Sequence, residues 1–207
     1  MGLTTYTPTR LRAVVDETSI ERLGGANIDW ASVTADSEGK KTILAGTVMS
    51  AKANGQLQPR SYTVTPSAVA VASNVATATL TAHGFSVGET VYISGAGTSY
   101  VNGLKTIASV PNANSFTFTA TGADVGSVSG TILVSRTATC ILETNARQDS
   151  AAIGYNGYSQ IAGGVLYENL LPDATGTPKK LPAQYKTELA SAGCTFKFTS
   201  YADSRAS

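Results

Sequence analysis

Residues 61–136 of this 207-residue chain have a texture unlike that of their surroundings. They run in short alternating stretches of Ala, Val, Thr, Ser and Gly, whereas residues 37–60 and 137–207 read as two parts of one small domain. An inserted segment must leave and rejoin its host at neighbouring points. Arg60-Ser61 and Ser135-Arg136 are therefore expected to lie side by side. Insertions are tolerated at exposed loop tips, which favours a scaffold that presents a surface over an enzyme.

The inner segment carries strand signals at 62–65, 75–81, 89–94, 103–109 and 115–119, with 131–134 closing it. Alternation is clearest from Val75 to Thr81 and in Ser115-Phe116-Thr117-Phe118-Thr119. The intervening turns are His83-Gly84, Gly95-Ala96-Gly97, Asn102-Gly103 and Pro111-Asn112-Ala113-Asn114, residue types that supply turn geometry. Regular short strands separated by turns predict an all-β unit, an Ig-like sandwich or a small barrel.

Outside this segment, residues 41–49 predict one strand. A hairpin turn follows at Asn54-Gly55, because both residues tolerate positive φ. Gln56 to Arg60 is then expected as a short edge strand ended by proline. Residues 137–145 and 159–168 predict two further strands. Pro182 opens the best helix of the chain, at a place where its missing N–H costs nothing. Tyr185 and Leu189 share one face of that helix, Lys186 and Glu188 are expected outward, and Gly193 stops it. Residues 194–199 alternate as a last strand, and 202–207 form a polar tail. Residues 1–36 show no sustained period, and Gly24-Gly25 breaks any helix. They predict an extended N-terminal arm, with Trp30, the sole tryptophan, anchoring it to the body. The fold class expected is β-rich α+β with one main helix.

Charged residues are 14% of the chain and the net charge is +1. That is well below the usual share of about 25%. Without clustered Lys and Arg there is no footprint for nucleic acid. No apolar run approaches the length of a membrane helix, and Met1 to Pro8 lacks the pattern of a secretory signal. Cys140 and Cys194 sit in apolar settings and are expected as buried free thiols, with a disulfide as the alternative if their strands are neighbours. His83 is the single histidine. It suits a turn, capping the step before Phe85, far better than a triad lacking any nucleophile elbow. One His and two distant Cys do not make a zinc site, and no Asp-rich calcium loop is present. No cofactor and no metal are expected. Tyr155 and Tyr158, beside Asn156, Gly157 and Gln160, form a Tyr-rich loop of the kind enriched at protein interfaces. Ordinary loop packing explains it equally well.

An ordered set of pieces outside 61–136 resembles the head decoration, or cement, proteins of lambda-type tailed bacteriophages. These pieces are Gly46-Thr47-Val48-Met49 with its Asn-Gly turn and proline, then Cys140-Ile141-Leu142-Glu143-Thr144-Asn145. Gly163-Gly164-Val165-Leu166-Tyr167-Glu168 follows, then Asn169-Leu170-Leu171-Pro172, and finally the helix with its Phe196-Lys197-Phe198 strand. The resemblance implies a compact α/β body that binds the outer surface of an expanded head as a homotrimer at three-fold axes, with the major capsid protein as partner. It also implies an N-terminal arm reaching the coat, in which Arg10 and Arg12 are candidates for pairing with coat carboxylates. Trp30, Tyr155 and Tyr158 are the remaining contact candidates. The inner segment is similar to β-modules of phage structural proteins, through His83-Gly84-Phe85-Ser86-Val87-Gly88-Glu89 and Val101-Asn102-Gly103. The alternatives are a tail-tube or tail-fibre component, or a virion-surface glycan-binding module using Tyr92 and Tyr100.

Overall fold

The structure, a computed structural model, describes residues 20–150, 153–154, 157–172 and 180–199. It is β-rich with one α-helix among the described residues. In chain order the strands are β1 (Glu21–Ala26), β2 (Lys41–Ile43), β3 (Val48–Ala51), β4 (Leu57–Pro59), β5 (Ala68–Ala72), β6 (Val75–Thr79), β7 (Thr90–Ser94), β8 (Gly103–Asn112), β9 (Ser115–Thr119) and β10 (Leu133–Arg136). They continue with β11 (Cys140–Leu142), β12 (Ala146–Ser150), β13 (Ile153–Gly154) and β14 (Tyr158–Tyr167), then helix α1 (Ala183–Ser191) and β15 (Thr195–Thr199).

One six-stranded sheet runs β1-β14-β11-β3-β4, with β15 parallel on β14. Its central strands are apolar on both faces because both faces are covered. Val48, Ile141, Ile161 and Leu166 pack with Leu181 and Leu189 on the helix side. Met49, Cys140, Leu142 and Leu57 pack with Ile28, Ile43 and Ala146 on the other. The latter core is capped by a three-stranded sheet, β13-β12-β2.

The expected single strand over 41–49 is two strands in two sheets. The chain turns at Leu44–Thr47, where Gly46 takes φ +86° and its N–H donates to Leu142 O at 2.8 Å. A side chain at such a φ is strained. Of the expected strand 137–145 only Cys140–Leu142 forms, as β11; the chain bends at 143–145 and enters the other sheet as β12, so both segments change sheet side by side. Asn145 Oδ1 closes this corner by accepting from Ala45 N at 2.7 Å.

The hairpin at 52–56 differs in type from its expectation. Only Gly55 has positive φ, +79°. Gly55 N donates to Lys52 O at 2.9 Å and Lys52 N to Gln56 O at 2.8 Å. This is a type I turn followed by a left-handed residue, a three-residue hairpin loop. Helix α1 ends as expected: Cys194 N donates to Leu189 O and Gly193 N to Ala190 O, the paired bonds of a Schellman motif.

The second six-stranded sheet, β10-β7-β8-β9-β6-β5, draws only on residues 68–136. Its strands alternate. Phe116 and Phe118 face inward with Ala76, Ala78, Val69, Val71, Val91 and Ile93, while threonines face out. Strand β8 pairs β7 through 103–106 and β9 through 107–112, with two register shifts inside the β9 pairing. Such bulges bend a strand and let one sheet curve around one core. Both edges are lined: Val64 bridges Val134 on β10, and Val125 bridges Val71 on β5. The expected strand 62–65 is thus a single bridge. The hairpin β5–β6, turning on Ser73 and Asn74 with φ of 52° and 64°, was not legible in the sequence.

Within residues 20–36, expected as part of an extended arm anchored at Trp30, the segment 21–28 joins the first sheet. Strand β1 pairs β14, and Ile28 bridges Leu57. Residues 1–19 and 200–207 lie outside the described residues.

Candidate functional site

The chain passes between the two large sheets twice, just after β4 and at the end of β10. An arginine stands at each crossing, and both are almost fully buried: Arg60 is 4% exposed and Arg136 6%. A buried guanidinium is tolerated only when paired and hydrogen-bonded on all sides. Arg60 meets that condition. Its Nε donates to Glu188 Oε2 at 2.5 Å, its Nη2 to Glu188 Oε1 at 2.7 Å and its Nη1 to Ser135 Oγ at 2.7 Å. This bidentate fork is specific to arginine. The guanidinium carbon also lies 4.7 Å from the centre of the Tyr185 ring and 5.6 Å from that of Tyr92, within cation–π range. Glu188 completes its shell with Ala138 N at 2.8 Å and Gln184 Nε2 at 3.0 Å.

Arg136 repeats the arrangement on the other crossing. Its Nε donates to Glu89 Oε1 at 2.5 Å and its Nη2 to Gly84 O at 2.7 Å, and it sits 4.4 Å over Phe85. Glu89 Oε2 in turn accepts from Ser86 N at 3.0 Å. Among the described residues no buried side-chain polar atom lacks a partner. Arg60 therefore connects α1 and the first sheet to Ser135 on β10 and Tyr92 on β7. The chemical effect is a mount: each ion pair fixes its arginine within its own unit, and the arginines reach across, Arg60 to Ser135 and Tyr92 and Arg136 Nη1 to Gln58 Oε1 on β4 at 3.4 Å. A cleft of about 330 Å³ lies alongside, lined among others by Glu89, Thr90, Leu104, Arg136, Thr139 and Glu188.

Helix periodicity alone places Glu188 outward. The structure buries it, at 2% exposed. The reason is Arg60, which supplies the opposite charge from 128 residues away. Lys186, also expected outward, pairs with Glu168 and lies 5.0 Å over the Phe198 ring. That lysine hydrogen bond holds the Glu168 carboxyl below the usual 4.5, against the opposing effect of burial. Burial pushes the Tyr185 hydroxyl up.

Of the contact residues expected from sequence, Arg10, Arg12 and Tyr155 lie outside the described residues. Trp30 and Tyr158 are brought together, edge to face at 6.1 Å between ring centres. Trp30 opens a short 3-10 turn capped by Asp29, whose Oδ1 accepts from Ala31 N at 3.2 Å. Asp29 also pairs with Lys52 at 2.8 Å, and its N–H donates to Leu57 O at 2.8 Å. Trp30 thus stands where the N-terminal segment is stitched to β4. Tyr158 donates its hydroxyl to Arg147 O at 3.0 Å. Next to it, Arg22 on β1 pairs with Glu143 at 2.5 Å. The Arg22 hydrogen bond, with help from Ser159, lowers the Glu143 carboxyl below 4.5 against desolvation.

Both cysteines are free. Burial pushes the Cys140 thiol up to about 12 and raises Cys194 as well. They serve opposite faces of the first sheet, Cys140 in the core with Met49 and Cys194 in the core with Leu189. His83 caps its turn as expected: Nδ1 accepts from Phe85 N at 3.0 Å, and the ring stacks on Phe85 at 5.4 Å. Tyr92 lies beneath Arg60, and Tyr100 covers Gly122 and donates to Ala123 O. No group of three or more His, Cys, Asp or Glu able to hold a metal occurs among the described residues, and no helix among them is long and apolar enough to cross a membrane.

The buried pairs were missed in the sequence. Each arginine flanks the change in texture, but its partner is remote in sequence.

No protein-family model matches the chain, and no curated protein matches it. Among solved structures, a chain described as phage phi92 endosialidase is similar at 27% identity with a TM-score of 0.32. The likeness covers 46% of this chain and 18% of that one. Overlap of that quality does not equate the two folds, and the sialidase activity is said of that protein.

Proposed function

We propose that the protein is a capsid decoration protein of a tailed bacteriophage. It binds the outer surface of the expanded head as trimers at three-fold axes, and residues 61–136 are an inserted β-module projecting from it. The observation that supports this best is assembly. The segments on which the family resemblance rests are scattered over 46–49, 140–142, 163–167 and 195–199. They converge as β3, β11, β14 and β15 in one sheet around one helix-capped core. The strands within 68–136 form their own sheet and core.

The mechanism is mechanical. Each trimer bridges neighbouring coat subunits, and three modest contacts made together give high avidity. Residues 1–19 lead out of the solvent-exposed strand β1 and would reach the coat, where strand addition uses main-chain hydrogen bonds for affinity. The arginine contacts fit this role, since they fix the direction in which the module projects from its host. Tyr92 and Tyr100 both engage partners within the protein, which favours this reading over a glycan platform that needs free aromatic faces.

Electron cryomicroscopy of expanded heads incubated with the protein tests the proposal. Added density at the three-fold positions, with a knob projecting outward, is expected. Density along the tail, or none on the head, overturns it. A chain lacking residues 1–19 should lose head binding while β1 and the body stay folded.

A further inference from the structure

The sequence holds three Asn-Gly pairs, at 54–55, 102–103 and 156–157. An Asn-Gly step is chemically reactive because glycine leaves its amide nitrogen open to approach the preceding side chain. Two of these pairs are fully described, and their asparagine side chains are held differently.

Asn102 is locked at both ends of its amide. Its Oδ1 accepts from Ala96 N at 3.0 Å and its Nδ2 donates to Ala96 O at 2.8 Å. The side chain is half-buried between the turn at 95–97 and the start of β8, with no freedom to swing its carbonyl carbon onto Gly103.

Asn54 sits at the exposed tip of the β3–β4 hairpin. Nothing would stand within 4 Å of a β-carbon on Gly55 or on Gly103, so the two peptides are equally open and the difference lies in the asparagine side chains. Asn54 Oδ1 accepts from Gln56 N at 3.1 Å. A hydrogen bond to that oxygen polarises the carbonyl; Asn102 Oδ1 accepts a similar bond, so what separates the sites is the exposure of Asn54 and the partner of its amide nitrogen. Asn54 Nδ2 meets only the Gln56 side chain, at 2.8 Å on an exposed surface, so the leaving group is free to depart.

We propose that Asn54 is a site of spontaneous deamidation and isoaspartate formation, and that the fold shields Asn102 from the same reaction. The Gly55 amide nitrogen, losing its proton, attacks Asn54 Cγ and forms a C–N bond. The Cγ–Nδ2 bond breaks, and Nδ2 leaves as ammonia with the proton. Water then opens the resulting five-membered imide at either carbonyl, giving aspartate or isoaspartate. One water is consumed and one ammonia released, with no change of oxidation state. The product places a negative charge at the hairpin tip. In the isoaspartate form it also adds a methylene to the main chain, three residues before the buried Leu57 that pairs with Ala51.

The full chain is incubated in mildly alkaline buffer, where the nitrogen is more readily deprotonated, and followed by peptide mapping with isoaspartate-sensitive fragmentation. The peptide holding Asn54 should gain about 1 Da at least about tenfold faster than that holding Asn102. In concentrated urea the two rates should converge, because the locks on Asn102 are gone. Asn54→Gln should abolish the mass gain at this position and leave the rate at Asn102 unchanged. Equal rates in the folded chain, a faster Asn102, or no conversion at Asn54 would overturn the proposal.

Discussion

Replacing Glu188 by glutamine keeps its shape and removes its charge. Arg60 is then left cationic, 4% exposed, and facing a neutral amide. Breaking a buried ion pair by removing one partner costs about 3–5 kcal/mol. The geometry places this case in the upper part of that range. Two short bonds to Arg60 weaken, and the carboxylate oxygen that accepts from Ala138 N at 2.8 Å becomes an amide oxygen or, worse, an NH2 group. For a chain of this size the loss corresponds to a fall in Tm of roughly 6–20 °C. The double variant Arg60→Met, Glu188→Leu should cost less than Glu188→Gln alone, because no charge is stranded. It still orphans Ala138 N, at about 1–3 kcal/mol, while the Ser135 hydroxyl keeps its hydrogen bond to Tyr92 O at 3.4 Å. Urea denaturation of the wild type, Arg60→Met, Glu188→Leu and the double variant completes a cycle, with Glu188→Gln measured beside it and the midpoint at constant slope as readout. A Glu188→Gln change within about 0.5 kcal/mol of wild type, the range of an ordinary surface substitution, would refute the buried mount.

Three further outcomes follow from the geometry. Phe116→Ala should cost about 3–5 kcal/mol and appear as early loss of amide protection in β5 to β10, ahead of β11 and β14, since Phe116 belongs to the second core alone. The Glu143 and Glu168 carboxyls are both held below 4.5 by their basic partners. Their contribution is therefore complete above the ordinary carboxylate range and is lost as pH falls through the lowered values; Glu143→Gln and Glu168→Gln together should flatten the acid limb of a stability–pH curve without changing its neutral plateau's shape. Cys140, with its thiol pushed up to about 12, should resist alkylation at neutral pH in the native chain and react once urea unfolds it, and rapid native labelling would contradict its burial.

How much of this was readable in the sequence depended on contrast. Strand β9 was legible because Phe and Thr alternate sharply, and α1 because Pro182 and Gly193 mark its ends. Strand β5 was not, since Ala against Val is a weak alternation and its turn at Ser73-Asn74 takes a backbone conformation that these residues adopt only occasionally. Residues 41–49 read as one strand because the apolar run is continuous, and only Gly46 hinted that the chain changes sheets there. Arm residues 21–26 lacked a pattern because β1 is exposed throughout most of its length and pairs by backbone. Glu188 was placed on the wrong side of its helix because local period knows nothing of Arg60. The candidate site shares this limit: each half of the mount is formed by residues whose partners are remote in sequence, 128 apart for Arg60–Glu188 and 47 for Arg136–Glu89. Such pairs leave no local signature.

The measurement that bears most directly on the proposed role is co-sedimentation of the purified full chain with expanded, undecorated heads of its own virus, beside unexpanded procapsids. Saturable binding to expanded heads alone, at a stoichiometry divisible into trimers, is the expected result. Failure to bind expanded heads, or equal binding to procapsids, would contradict it.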